Sequence, residues 1–171
     1  MSHVNASRAV AIVRAAGGRV VGRTRLQKIA YLLAAAGLDE GFSFVYKHYG
    51  PFSEDLATAA READLLGLLS ETEQPASWGG TFSTYVVKDY IGSAAPGARE
   101  RLAREAATAD AIELELAATA AFLAKEGHAD PWKETARRKP EKADKGRIDK
   151  ARILYRKLAS IQTPVSLPNL D

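Results

Sequence analysis

Apolar residues recur at spacings of three and four along most of this chain, in short runs closed by strong stop signals, which restricts the fold to a set of packed amphipathic helices. From Asn5 to Ala16 the positions Ala6, Ala9, Val10 and Val13 share one face, with Asn5 in an N-cap position and Gly17-Gly18 as the stop. Thr24 caps a second predicted helix to Ala36, in which Leu26, Ile29, Ala30 and Leu33 form the buried stripe and Gly37 is the end. Ser53, followed by Glu54 and Asp55 at the positive end of a helix dipole, starts a third that reaches Leu69 through Leu56, Ala60, Ala63 and Leu66. Pro96 opens a charged helix through Ala107. Asp110 with Glu113 is a capping-box pattern for the next, whose Ile112, Leu116, Ala120 and Leu123 point inward until Gly127. The last helix spans Asp144 to Ser160, with Ile148, Ala151, Leu154, Tyr155, Leu158 and Ile161 on its apolar face.

Two segments depart from this period. Residues 42–49 read as a short extended segment broken by Gly50-Pro51, and Thr81 to Ile91, rich in aromatic and β-branched residues, reads as a strand and half of a hairpin after a turn-rich loop over 71–80. Helix, acidic loop and strand in that order suggest a winged-helix unit. Residues 128–146, interrupted by Pro131 and Pro140, read as a helical turn and a loop, and Pro164 and Pro168 leave 163–171 as a loose tail. The expected fold is mainly α: a single domain over 1–171 with a small β-hairpin or winged-helix-like element, a core over about 4–132 and a basic C-terminal helix over about 144–160.

At 171 residues, with 46% apolar and 26% charged, the chain can bury one hydrophobic core. It has no apolar run of about 18 residues and no leader-like order at its start, so a cytoplasmic protein with no membrane partner is expected. The absence of cysteine excludes disulfides, thiolate nucleophiles, iron–sulfur clusters and cysteine-ligated zinc. The net charge of +3 is unevenly placed: residues 1–60 carry +3, residues 61–131 carry −6 and residues 132–171 carry +6. An interaction surface at one end fits this distribution better than a uniform nucleic-acid coat.

Enzyme signatures are missing: no Gly-rich loop ending in Gly-Lys-Ser/Thr, no G-x-G-x-x-G, no G-x-S-x-G, no H-E-x-x-H and no Asp/Glu-x-Lys tripeptide. His3, His48 and His128 are too far apart for a metal-site spacing, so no catalytic residue, metal or cofactor is assigned.

The densest chemical cluster is Tyr46-Lys47-His48-Tyr49-Gly50-Pro51-Phe52-Ser53. Two phenols, an imidazole and an ammonium beside a tight turn suit an acid–base site or an aromatic recognition surface; equally, the aromatics suit the core, Gly50-Pro51 a turn and Ser53 a cap. Phe52 is read as an anchor, and His48 is open to either role. Gln27 and Lys28, one step after buried Leu26, are expected beside the Tyr49-Gly50-Pro51 turn, the alternative being a Lys28 that faces water. Near His128, Trp132 reads as a core residue rather than a platform for a base. The basic residues Arg137, Arg138, Lys150, Arg152, Arg156 and Lys157 form a candidate surface for an acidic protein or for phosphates. The third helix, at the recognition position of a winged helix, carries Glu54, Asp55, Glu62 and Asp64 against Arg61, which opposes DNA reading.

Gly22-Arg23-Thr24-Arg25-Leu26-Gln27-Lys28-Ile29-Ala30-Tyr31-Leu32, Phe44-Val45-Tyr46, Tyr49-Gly50-Pro51-Phe52-Ser53 with Leu56, and Gly67-Leu68-Leu69 together resemble the Panacea (SocA-like antitoxin) superfamily and its YwgA-like relatives. His128 and Pro131-Trp132 are similar to the family's histidine and Pro-Trp near the end of the domain, so the resemblance covers about residues 4–132. It implies a mainly helical domain with a small β element, found in antitoxins that bind and neutralise unrelated toxin proteins and, in one branch, in an adaptor that delivers a toxin to a protease. The Leu-Gln-Lys motif falls on Leu26, Gln27 and Lys28, and the Tyr-Gly-Pro motif on Tyr49, Gly50 and Pro51. Three classes of function follow: a toxin-neutralising or adaptor protein, a winged-helix nucleic-acid-associated prophage or defence protein, and an enzyme using Tyr46, His48 and Tyr49.

Overall fold

The computed structural model describes residues 2–171. In chain order the elements are α1 (Ser2–Ala15), β1 (Arg19–Val21), α2 (Arg23–Ala35), β2 (Val45–Lys47), β3 (Gly50–Phe52), α3 (Glu54–Leu65), β4 (Ser70–Pro75), β5 (Thr81–Val86), α4 (Ala98–Thr108), α5 (Ala111–Lys125), α6 (Pro131–Arg138), α7 (Pro140–Ala143) and α8 (Arg147–Ser160). The fold is mainly α with two small antiparallel sheets, one of three strands in the order β1-β5-β4 and one of two strands, β2-β3. Among the described residues no helix is long and apolar enough to cross a membrane.

The local signals that work are caps. The Ser53 side chain accepts from the Leu56 N–H, and Asp110 accepts from the N–H groups of Ile112 and Glu113, each meeting orphan donors of a first helical turn. Asp130 does the same for Lys133 ahead of Pro131, so the expected turn after His128 is a full helix, α6.

The second helix departs most from its pattern. A one-sided stripe is expected, yet Leu26 through Leu33 are buried without a break. α4 and α5 pack on α2, the β2–β3 hairpin covers another side, and β1 and β5 approach its start. A helix enclosed all round carries its polar residues inside, where Gln27 and Lys28 find backbone partners. α5 is enclosed in the same way, against α2, α6 and α8, while α1 packs on α3.

Several expectations are corrected. The first helix starts at Ser2, so Asn5 is inside it and its Oδ1 accepts from Arg8. Gly22 rather than Thr24 precedes α2; Arg25 fixes this end by donating to the Val21 and Ala107 carbonyls. Gly50-Pro51 does not end the extended segment but begins its return strand, because His48-Tyr49 makes the turn. Residues 71–75, expected as loop, form most of β4, an exposed strand whose polar sequence gives no burial pattern and whose pairing comes from β5. The third helix ends at Leu65, the charged one begins at Ala98 and the last at Arg147. The tail is not loose: the Val165 N–H donates to the Ala36 carbonyl, Leu167 and Leu170 are buried, and the Tyr155 hydroxyl donates to the Pro168 carbonyl. Gly37 turns the chain out of α2 with φ +73°, and a side chain there would meet Val165 of this docked tail.

Candidate functional site

The β2–β3 hairpin is a small ladder, Val45 opposite Phe52, Tyr46 opposite Pro51 and Lys47 opposite Gly50. Gly50 takes φ +90°, and a Cβ there would run into the Thr119 hydroxyl of α5. The hairpin is therefore pressed onto α5 at a point where only hydrogen fits.

Side chains of α2 and from the end of α6 fasten it. Gln27 pairs with the Ser53 backbone as a strand would, Nε2 donating to the carbonyl at 2.9 Å and Oε1 accepting from the N–H at 2.8 Å. This pair of hydrogen bonds fixes the residue that caps α3. Lys28 is 1% exposed, and its Nζ donates to the Pro51 carbonyl at 2.9 Å. Lys139, at the end of α6, donates to the His48 carbonyl at 2.8 Å. Lys28 thus lies against Pro51 of the expected Tyr49-Gly50-Pro51 segment and Gln27 two residues beyond it, and the alternative in which Lys28 faces water is overturned.

One carboxylate serves this cluster. Glu115 of α5, buried, is 3.0 Å from Lys139 Nζ and 2.7 Å from Lys142 Nζ. Burial pushes the Lys28 ammonium down to about 7; Glu115 opposes this, while Lys139 and Lys142 add to it. Thr119, one turn beyond Glu115, has a buried hydroxyl without a hydrogen-bond partner.

The aromatic residues divide. Tyr46 is half-buried, with the Arg138 guanidinium 4.8 Å and the Lys139 ammonium 5.9 Å from its ring centroid. Tyr49 is half exposed under the Lys142 ammonium, 4.6 Å away. The His48 ring is exposed, and this residue enters the cluster through its carbonyl. Phe52 is half-buried beneath Lys47. Tyr31 meets Phe44 edge-on and tilts against Phe122; burial pushes its phenol well above the ordinary range.

The remaining sequence candidates lie beside α6 and α8. Trp132 is buried edge-on to Tyr155, its indole N–H unpartnered and the Arg152 guanidinium 5.6 Å from its ring. His128 is half-buried, its Nε2 3.5 Å from Arg138 Nη2. The candidate basic surface is reduced: Arg137 and Arg138 both bind Glu134, whose carboxyl their hydrogen bonds hold down to about 2. Arg156 pairs with Asp171 and Arg152 is turned onto Trp132, which leaves Lys150 and Lys157 as the exposed lysines of the α8 surface.

Sequence reasoning passed over Glu115 and Thr119. The signal was present: Glu115, Thr119 and Phe122 follow one another at helical spacing beside the expected Leu116 stripe, a polar pair on a mostly apolar helix. Among the described residues no group of three or more His, Asp or Glu side chains is placed to hold a metal ion. No protein-family model, curated protein or solved structure matches this chain.

Proposed function

We propose that this chain is a non-enzymatic protein-binding module, an antitoxin or proteolytic adaptor that neutralises a partner toxin in the cytoplasm of a bacterium or phage-infected cell. The observation that carries this reading is where the Panacea-like motif residues end. Gln27 and Lys28 terminate on the backbone of Ser53 and Pro51, and the hairpin that carries Tyr49-Gly50-Pro51 is held from α2 and from the end of α6. Such a motif set maintains the shape of a surface, and a fixed surface is what recognition of a folded partner requires.

A second reading has its own support. The order α1, β1, α2, α3, β4, β5 with strands arranged β1-β5-β4 follows that of a winged helix, which favours a nucleic-acid-associated prophage or defence protein. In that arrangement α3 takes the recognition position, and it exposes Glu54, Asp55 and Asp64 beside Arg61, a surface that repels phosphates. The basic residues of the C-terminal region are largely engaged within the chain, so protein binding ranks first.

Fluorescence anisotropy with duplex DNA at physiological ionic strength, run beside co-purification with the product of the adjacent gene, tests the order. No submicromolar DNA binding and a stable complex with that one protein are expected. Submicromolar DNA binding, abolished by Lys150→Glu with Lys157→Glu, would place the second reading first.

A further inference from the structure

A groove of about 570 Å³ runs between α3 and the β4–β5 hairpin. Its floor is apolar: Leu26, Phe52, Ala60 and Tyr85. Its rim is acidic, with Glu54, Asp64, Glu71 and Glu73 against Arg23 and Arg61. Arg23 is already drawn to Glu71 and Glu73, at 3.4 and 4.0 Å, and Lys47 to Glu54 at 2.8 Å, so the four carboxylates face Arg23, Arg61 and Lys47 and the rim keeps a net negative charge.

The groove opens onto an apolar shelf. Leu65, which lines it, is 84% exposed, and Leu66 and Leu68 beyond the end of α3 are 45% and 40% exposed. Three exposed leucines within four residues, adjoining an apolar floor and edged by carboxylates, form a patch of the kind that marks an interaction site. The charge selects the occupant. An anionic segment would meet a rim that is net negative, and a neutral apolar one would bury Asp64, which has no ion-pair partner among the described residues; a segment with lysine or arginine flanking leucine-like residues satisfies floor and rim together.

We infer that this groove is the docking site for a cationic amphipathic helix of a partner protein, its apolar face on Leu65 and the groove floor and its cations on Asp64 and Glu73. This rests on the protein-binding reading and specifies the partner's chemistry. Recognition would take the helix-in-groove form, with apolar anchors at helical spacing and charge fixing orientation.

Three labelled helical peptides of equal length test it by anisotropy against the full chain at physiological salt: one amphipathic in Leu and Lys, one with each Leu replaced by Ser, and one with each Lys replaced by Glu. The Leu/Lys peptide should bind at least ~10-fold tighter than either other peptide. Asp64→Lys with Glu73→Lys, and separately Leu65→Ser, should each weaken it by ~10-fold or more while the circular-dichroism spectrum and a cooperative melt are retained. All three substitutions are at exposed positions. Equal binding of the Leu/Lys and Ser/Lys peptides would overturn the proposal, as would indifference to both variants. Concentration-dependent self-association that occludes the groove and is abolished by Lys150→Glu with Lys157→Glu would assign it to a second copy of this chain instead. Loss of peptide binding with toxin neutralisation intact would retire the groove alone, whereas peptide binding by a chain that neutralises nothing would retire the broader reading and keep the groove.

Discussion

The Lys28 ammonium nitrogen ends on the Pro51 carbonyl oxygen, 2.9 Å away, inside a helix that is buried on every side. Proline has no N–H of its own, so the turn is anchored here through its carbonyl, and the anchor is a titratable group in the core. Burial, the first cause, brings Lys28 down to about 7 from the ordinary 10.5.

That depression makes stability depend on pH. Between about pH 7 and 10 the unfolded chain keeps the Lys28 proton and the folded chain does not, so stability rises with pH, by on the order of 3 kcal/mol for this one group. Above about pH 10 the trend reverses, because burial raises the phenols of Tyr31, Tyr85 and Tyr155 in the folded state and the unfolded chain ionises first. Urea titrations from pH 7 to 11 should trace this maximum. Lys28→Met should flatten the rise, and an unchanged slope would show that Lys28 titrates normally.

Gly50→Ala should destabilise the chain by about 3 kcal/mol, combining the cost of a positive φ with the collision against Thr119. Thr119→Ala alone should be close to neutral, since its hydroxyl has no partner to lose. In the double variant part of the loss should return, a coupling of about 1 kcal/mol measurable by denaturant melts. Strict additivity would place the two residues out of contact.

Trp132→Ala should cost about 3–5 kcal/mol through the cavity left against Tyr155. Trp132→Phe should cost much less, because the buried indole N–H makes no hydrogen bond. Unchanged melting together with lost partner binding would make Trp132 an interface anchor rather than a core residue.

Removing residues 163–171 should lower stability by about 2–4 kcal/mol, since Leu167 and Leu170 leave the core and Tyr155 loses its acceptor. Thermal unfolding of the shortened chain decides this. A melting temperature equal to that of the full chain would mean that the tail contributes no net stability.

The sequence was legible where a signal is local. Ser53 and Asp110 cap their helices because a short polar side chain before an apolar run has one favourable use, and Gly37 ends α2 because it can take positive φ. Lys28 beside the Tyr49-Gly50-Pro51 turn was legible too, from a polar pair set against a buried leucine. The all-round burial of α2 was not, since no single helix pattern tells how many neighbours will cover it. Strand β4 was hidden by Glu71, Glu73 and Gln74, polar residues without apolar alternation, whose partners on β5, including the Ser83 and Thr81 hydroxyls that donate to Glu71 and Glu73, are further along the chain. Glu115 became the centre of the lysine cluster only once α6 and α7 folded back over α5, bringing Lys139 and Lys142 across more than 20 residues of chain. The basic C-terminal surface shrank for the same reason, as Glu134 and Asp171 took up its arginines.

The most direct test of the account is a growth assay in which the product of the adjacent gene is expressed in a heterologous bacterium with and without this chain. The account predicts growth arrest by that product alone, rescue by the wild-type chain, and recovery of the two proteins as one complex at physiological salt. Arrest that this chain does not relieve, with no complex recovered although the chain is soluble and folded by its melting curve, would contradict it.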